Sequence, residues 1–77
     1  MPKGIRNWTY SDVKKFLAKH NFRYHYANGS HHYYVGHIGH IRIVTVPFHG
    51  KNKSIKPRTM SSIIKQSGIE RSEWLGK

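Results

Sequence analysis

Two stretches of the chain, one near each end, carry apolar side chains with the spacing of an amphipathic helix. In the first, residues 11–20, the positions that share one helical face recur every three to four residues: Val13, Phe16, Leu17 and His20. Ser11 is the predicted N-cap, and Asn21 is predicted to end the helix in a left-handed conformation. The second helix is predicted to begin at Pro57, which suits a first helical turn, and to end at Gly68.

Between the helices, three segments rich in β-branched and aromatic residues predict three antiparallel strands. The predicted strands cover residues 22–27, 30–35 and 41–46. Asn28-Gly29 predicts a type I′ hairpin turn between the first two strands, because both central residues of that turn need a positive φ. Residues 36–39 begin and end with glycine and predict the second turn.

The strand patterns predict which side chains share a face of the sheet. Phe22, Tyr24 and Tyr26 alternate with polar or small residues, so they are predicted to lie on one face. The third strand is apolar on both faces except at Arg42 and Thr45, which predicts the central or best-covered position. The order α-β-β-β-α predicts a small α+β fold, with a three-stranded antiparallel sheet and two helices on one face. The other face of the sheet is left open.

Length and charge narrow the classes of protein that this chain can represent. Its 77 residues suffice for one domain with a thin core. We expect a single domain over residues 1–77, with an N-terminal extension at 1–10 and a C-terminal tail at 70–77. The net charge of +11, from 14 Lys and Arg against 3 Asp and Glu, indicates a polyanionic partner. Nucleic acid comes first, before an anionic membrane surface or an acidic protein.

The scarcity of acidic residues and the absence of cysteine exclude several kinds of chemistry. No carboxylate occurs between Val13 and Ile69, so a two-metal nuclease site, a calcium or magnesium cage and a glycosidase carboxyl pair cannot be assembled. With no Cys, thiolate catalysis and disulfides are excluded as well. We expect a cytoplasmic protein, because residues 1–8 do not form a signal peptide and no apolar run is long enough to span a membrane.

Histidine is the one abundant side chain that titrates near neutral pH, with seven in the chain. His31 and His32 follow the predicted hairpin turn, and strand alternation points them to opposite faces. One of them is predicted to reach the open face, where it could remove the proton of an RNA 2′-hydroxyl and start metal-free cleavage. Spacing alone favours ordinary cross-strand packing instead. The cations predicted to bind RNA and stabilise the transition state, as a group, are Arg42, Lys51, Lys53, Lys56 and Arg58.

A zinc site is a competing interpretation of the histidines. Three imidazole ligands could come from His31, His32, His37, His40 and His49. Strand alternation separates the first two, however, and a flexible glycine turn is a poor scaffold for the next two. No carboxylate lies nearby in the sequence to orient the ligands. We therefore expect no metal and no other cofactor.

A series of short motifs extends over residues 11–75. They are a helix that ends just before Phe22, Gly29-Ser30-His31-His32, Val44-Thr45-Val46-Pro47 with His49-Gly50, Lys56-Pro57-x-Thr59, and Ile64-Lys65-Gln66-x-Gly68-Ile69. Their order and spacing together resemble the HicA family. Members of this family are small bacterial and archaeal toxins of type II toxin–antitoxin modules, and they act as mRNA interferases.

The resemblance implies a double-stranded-RNA-binding-like fold, endoribonuclease activity on mRNA and a catalytic histidine in the Gly-Ser-His-His segment. It points first to His31 and leaves His32 as the alternative, because some members carry their one histidine at the second position. It also implies a cognate HicB-like antitoxin that covers the active site. Asn21 stands where the family usually has Gly, and a left-handed Asn accommodates that difference.

The main alternative is a non-catalytic RNA-binding module with the same order of elements. A double-stranded-RNA-binding domain places a Lys-rich cluster at the start of its second helix. Residues 57–62 are nearly uncharged after Arg58, which argues against this alternative. A degenerate toxin that only binds its antitoxin is the third interpretation that the sequence leaves open.

Overall fold

A computed structural model describes residues 4–76, and within them the chain forms three helices and one sheet. In chain order the elements are α1 Tyr10–Lys19, β1 Arg23–Asn28, β2 His31–Ile38, β3 His40–Pro47, α2 Pro57–Ser67 and α3 Arg71–Leu75. The sheet is antiparallel, with the strand order β1-β2-β3. The predicted α+β fold is therefore confirmed, and α3 is a short addition that the sequence pattern did not predict. Residues 1–3 of the expected extension and residue 77 of the expected tail lie outside the described residues.

The core lies between one face of the sheet and the two longer helices. The sheet contributes Tyr34 and two valines that are fully buried, and both helices contribute the apolar stripes predicted for them. Trp74 of α3 is 1% exposed and stacks on Phe16 of α1, with ring centroids 3.8 Å apart. Trp8 also lies in this cluster, 5.4 Å from Trp74. Segments near both ends of the chain thus close the core over α1.

Helix α1 begins two residues earlier than predicted. Its N-cap is Thr9, not Ser11, because Thr9 and Asp12 form a reciprocal capping box. The Asp12 backbone N–H donates to the Thr9 hydroxyl at 3.2 Å, and the Thr9 N–H donates to the Asp12 carboxylate at 3.0 Å. At the other end, Asn21 adopts a left-handed φ of 66°, as predicted. Helix α2 begins and ends at the predicted residues.

The hairpin between β1 and β2 turns on Gly29 and Ser30 rather than on Asn28 and Gly29. Asn28 pairs with His31 across the two strands, so it belongs to the ladder. Gly29 has a φ of 62°, whereas Ser30 keeps a negative φ. This combination matches a type II′ turn, which takes glycine at its first central position. The hairpin is confirmed, but its predicted turn type and register are wrong.

A bulge at His25 divides the tyrosines of β1 between the two faces of the sheet. Tyr24 pairs with Tyr34, whereas Tyr26 pairs with the preceding residue of β2, Tyr33. Since neighbouring strand residues point to opposite faces, Tyr24 lies on the helix-covered face and Tyr26 on the open face. The prediction that these two tyrosines share a face is therefore wrong.

Strand β2 continues through the region predicted as the second turn. Gly36 is a buried strand residue, and a Cβ atom there would lie 2.6 Å from the ring of Phe22. The chain reverses at Gly39, which has a φ of 78° and separates the paired residues Ile38 and His40. Of the two glycines, one makes room for a ring and the other makes the turn.

Strand β3 is an edge strand, so its predicted central position is wrong and β2 occupies the centre. Val44 is fully buried beneath the helices, but Ile41 and Ile43 on the opposite face are 65% and 54% exposed. At the outer edge, the Thr45 backbone N–H donates a hydrogen bond to the Gln66 side chain of α2 at 3.0 Å. The doubly apolar pattern of β3 thus reflects an uncovered apolar face rather than burial on both sides.

Candidate active site

The two hairpin histidines lie on opposite faces of the sheet, as their strand positions predicted. His31 is exposed on the open face, where its cross-strand partner is Pro47. His32 is half-buried on the helix-covered face, where its cross-strand partner is Val46. The backbone therefore separates these neighbouring imidazoles, and they cannot act together at one reacting group.

The imidazole of His32 is surrounded by aromatic rings. Phe48 stacks on it, with centroids 4.9 Å apart and an angle of 26° between the planes. Tyr10 and Tyr24 meet it edge to face, at centroid distances of 5.2 and 5.7 Å. These contacts restrain the plane of the imidazole. We call the following five residues the aromatic cluster: His32, Tyr10, Tyr24, Tyr34 and Phe48.

Two tyrosine hydroxyls form a hydrogen-bonded chain that ends on His32. The Tyr10 hydroxyl lies 2.9 Å from Nδ1 of His32 and 2.6 Å from the Tyr34 hydroxyl. Burial, and then the hydrogen bond with Tyr10, raise the pKa of the Tyr34 hydroxyl well above its usual range, so this group stays protonated. Within the described residues no hydrogen-bond partner approaches Nε2 of His32. Nε2 is therefore the nitrogen available to a bound molecule.

Residues 49–56, here called the basic loop, run from β3 to α2 beside the start of α1. The Ser11 backbone N–H of α1 donates to the Lys51 carbonyl at 3.0 Å, and the Ile55 N–H donates to the Trp8 carbonyl at 2.6 Å. Lys51, Lys53 and Lys56 are exposed on this loop. The loop is thus attached to the helix end that carries Tyr10. Three of the predicted RNA-binding cations lie on it, and Arg58 is exposed in the first turn of α2.

Arg42 lies apart from these cations. It is four residues along β3 from Val46, the cross-strand partner of His32, which corresponds to about 13 Å of strand. Its Nε donates to the Ile38 carbonyl at 3.1 Å. Its guanidinium also covers Gly68, where a Cβ atom would come within 2.7 Å of it. The structure gives Arg42 packing and backbone contacts at the far end of the sheet and does not bring it to the basic loop.

A comparison of the sequence with models of protein families shows which family this chain belongs to. The family model described as "HicA toxin of bacterial toxin-antitoxin" matches residues 10–69. The chain belongs to the HicA toxin family. The matched residues begin with α1 and include both hairpin histidines, the basic loop and all of α2. Comparisons with curated proteins and with solved structures find no match.

Membership of the HicA family confirms the resemblance and makes this chain the toxin component of a toxin–antitoxin system, which implies an antitoxin partner. A search of residues 4–76 finds no helix with the length and apolar character needed to cross a membrane.

The zinc alternative has no geometric support in this HicA toxin. His31 and His32 face opposite ways, and His37 and His40 lie at the other end of β2 and β3. Across residues 4–76, no three or more His, Asp or Glu side chains come together in a group that could hold a metal ion.

Four members of the aromatic cluster were missed as site residues by sequence reasoning: Tyr10, Tyr24, Tyr34 and Phe48. The signal for Tyr10 was present, because it stands three residues before Val13 and seven before Leu17 on the same helical face. The capping box at Thr9 would have extended the helix to include it. Tyr34 also had a local signal, because strand alternation puts it on the same face as His32. Phe48 had none, since the pairing of β2 with β3 brings it to His32.

Proposed function

We propose that this HicA toxin is an endoribonuclease that cleaves mRNA without a metal ion, with His32 as its acid–base residue. The observation that supports His32 is its fixed orientation, with Nδ1 bonded to a hydroxyl and no hydrogen-bond partner on Nε2 among the described residues. A general acid–base group needs such an orienting partner and an accessible reactive atom. His31, to which the resemblance pointed first, has no hydrogen bond or ring contact that orients it among the described residues. We therefore place His32 ahead of His31.

RNA supplies the nucleophile of the proposed reaction. Nε2 of His32 removes the proton of a 2′-hydroxyl, and the resulting oxygen attacks the adjacent phosphorus. The bond from phosphorus to the 5′-oxygen then breaks, and that oxygen takes up a proton from the imidazolium or from water. The products are a 2′,3′-cyclic phosphate and a new 5′-hydroxyl. No step needs a carboxylate, which matches the absence of Asp and Glu between Val13 and Ile69.

The cations of the basic loop and of the first turn of α2 fit the second requirement of this reaction, which is stabilisation of negative charge on the phosphoryl group. We assign this role, together with binding of the flanking phosphates, to a group of exposed side chains: Lys51, Lys53, Lys56 and Arg58. Arg42 is left out of the group because its contacts are with Ile38 and Gly68 at the far end of the sheet.

Exposed rings next to His32 can hold the bases of single-stranded RNA. Tyr24 is 52% exposed and Phe48 is 36% exposed, and both contact the imidazole directly. Base stacking on aromatic side chains is a common way to bind unpaired RNA. We propose that a nucleotide stacked here brings its 2′-hydroxyl to Nε2.

The partner that we propose is a HicB-like antitoxin that covers the aromatic cluster with an acidic surface. Complementary charge would make its association with a chain of +11 fast and sensitive to salt. The place of action that follows for both proteins is the cytoplasm, where mRNA is translated. Co-purification from the native host should recover a stoichiometric acidic partner, and its absence would count against this assignment.

Cleavage of a defined single-stranded RNA in excess chelator tests the proposed activity. We expect cleavage to proceed, and we expect the products to carry a 2′,3′-cyclic phosphate. A DNA strand of the same sequence should bind and remain intact, because it has no 2′-hydroxyl. Activity that is lost in chelator and restored by a divalent ion would overturn the metal-free mechanism. RNA that is bound but never cleaved would instead favour the non-catalytic RNA-binding module.

A further inference from the structure

We infer that Tyr10 is a positioning residue for the imidazole of His32: its hydroxyl holds Nδ1 in every protonation state and thereby keeps Nε2 directed at the RNA. The inference rests on the proposed function, and it assigns a role to a residue at the first helical position of α1. The geometry that supports it is the chain of hydroxyls from Tyr34 through Tyr10 to His32.

The position of the Tyr10 hydroxyl is set by rigid parts of the molecule. Tyr10 is 7% exposed and is the first residue of a helix whose start is held by the Thr9–Asp12 capping box. Its ring meets Phe48 edge to face at a centroid distance of 4.8 Å. A group on a capped helix, packed against a strand, orients its partner more accurately than a group on a mobile loop.

A hydroxyl suits a histidine that must both take up and release a proton. It can accept a hydrogen bond when Nδ1 is protonated and donate one when Nδ1 is not, whereas a carboxylate can only accept. The imidazole therefore does not need to turn when His32 changes from base to acid. Nε2 acts as a base only while Nδ1 carries the proton, so the Tyr10 oxygen accepts from Nδ1 both before and after Nε2 is protonated, and the ring contacts with Phe48 and Tyr24 stay in place.

Tyr34 supports this arrangement through its hydrogen bond with Tyr10 and makes none with the imidazole itself. Its hydroxyl is buried, and the Tyr10 oxygen is the partner that the structure gives it, at 2.6 Å. When Nε2 is the base, Nδ1–H of His32 donates to the Tyr10 oxygen, and the Tyr10 hydroxyl donates to the Tyr34 oxygen. When Nε2 takes up the proton of the 2′-hydroxyl, Nδ1 keeps its own proton, so both hydrogen bonds keep their direction. Removal of the Tyr34 hydroxyl should therefore leave the bond between Tyr10 and His32 intact.

Single-hydroxyl variants test the role of Tyr10 against matched controls. Tyr10→Phe keeps the ring and should lower kcat for RNA cleavage by about 10- to 100-fold, as loss of a group that orients a functional histidine commonly does. KM should stay unchanged, since the phosphates and bases keep their contacts. Tyr33→Phe removes a hydroxyl from the open face of the same strand and is the matched control, which should retain the wild-type kcat. A Tyr10→Phe variant with the wild-type kcat would overturn the inference.

The double variant Tyr10→Phe/Tyr34→Phe separates positioning from mere stability. Tyr10→Phe alone leaves the buried Tyr34 hydroxyl without the partner that the structure gives it, so its Tm should fall. The double variant removes that unpaired group, and its Tm should recover. If Tyr10 positions His32, kcat stays low in the double variant despite the recovered Tm. If the role of Tyr10 is only structural, kcat returns with Tm, and the inference is wrong.

A spectroscopic measurement reports on the hydrogen bond independently of activity. The ¹⁵N signal of His32 Nδ1 should shift in Tyr10→Phe to the position of an imidazole nitrogen without a partner, and it should not move in Tyr24→Phe. An unmoved signal in Tyr10→Phe would refute the inference. Failure of the wild-type chain to cleave RNA would refute the proposed function, and the positioning role with it. Cleavage by the wild type with equal kcat in Tyr10→Phe would refute the positioning role alone.

Discussion

The two faces of strand β2 place chemically similar side chains in different surroundings. On the helix-covered face, His32 and Tyr34 are joined through the Tyr10 hydroxyl and surrounded by further rings. On the open face, His31 is exposed, and Tyr33 stacks on Tyr26 of the neighbouring strand at a centroid distance of 4.7 Å. Each face thus receives one histidine and one tyrosine from four consecutive residues. Their surroundings, not their residue types, give them different capacities for chemistry.

The same contrast applies to packing. Buried side chains on the helix-covered face, such as Val44, belong to the core, so a change there disturbs it. A side chain on the open face meets its strand neighbours and solvent. Substitutions at neighbouring positions of one strand should therefore differ in their effects on activity and stability. The size of that difference shows how independent the two faces are.

The largest difference is expected between the two hairpin histidines. His32→Ala should lower kcat for RNA cleavage by about 10²- to 10⁴-fold, the usual contribution of a general acid–base group. His31→Ala should retain most activity, because its imidazole is on the other face of the sheet. Single-turnover cleavage assays at equal folded concentration, with melting curves as the control, measure both effects. The reverse result would move the active site to the open face and restore His31 as the catalytic residue.

Two neighbouring residues of β3 test the contrast in stability. Val44→Ala removes fully buried methyl groups and should lower the free energy of unfolding by about 2–3 kcal/mol. Ile43→Ala alters a side chain that is 54% exposed and should change that free energy by no more than about 0.5 kcal/mol. Urea unfolding with unchanged m-values measures both. A large loss in Ile43→Ala would show that the open face is covered in solution.

A glycine on the helix-covered face should tolerate no side chain. Gly36→Ala places a methyl group 2.6 Å from the Phe22 ring and should cost about 1–3 kcal/mol of stability through overpacking. Gly4→Ala is the matched control, since no heavy atom lies within 4 Å of the added group. The difference in Tm between the two variants is the measurement. Equal Tm values would mean that Phe22 can leave its position without cost.

The smallest effect is expected in the salt dependence of RNA binding. Lys53→Gln on the basic loop should reduce the slope of log K against log[salt] by about 0.7, which corresponds to one phosphate contact on a single strand. Arg23→Gln should leave the slope unchanged, because Arg23 pairs with Val35 and lies on the open face. Binding titrations from low to moderate salt measure the slope for both variants and for the wild type. An equal reduction in Arg23→Gln would show that RNA also crosses the open face.

Features that depend on neighbours along the chain were predictable from the sequence. Helical spacing and a terminal glycine located α2, and an asparagine after Lys19 located the end of α1. Apart from the start of α1, where the Thr9–Asp12 capping box was a local signal that was missed, the errors lie where strands pair with each other. The bulge at His25 places Tyr26 on the open face of the sheet. Gly36 was predicted in a turn, but it is a strand residue packed against the ring of Phe22. No local pattern distinguishes a glycine that forms a turn from one whose missing side chain leaves space for a neighbouring ring.

The candidate site divides in the same way. His31 and His32 could be singled out because they follow a hairpin turn, and the lysines of the basic loop because they cluster in sequence. The partner of His32 could not be named, since Tyr10 is 22 residues away in the chain and meets the imidazole only through packing of α1 on the sheet. The choice between the two histidines depends on that contact, and so it required the structure.

The exposed isoleucines of β3 also affect how the free chain behaves when it is concentrated. Two copies that approach through the apolar open face each carry a charge of +11, and this repulsion keeps them dispersed at low ionic strength. At about 1 M salt the screening length falls to roughly 3 Å, so the repulsion no longer opposes hydrophobic contact. Buffers of high salt concentration remove contaminating RNA from a basic protein. This chain should aggregate in such buffers, and it should stay in solution when it is stored at lower salt.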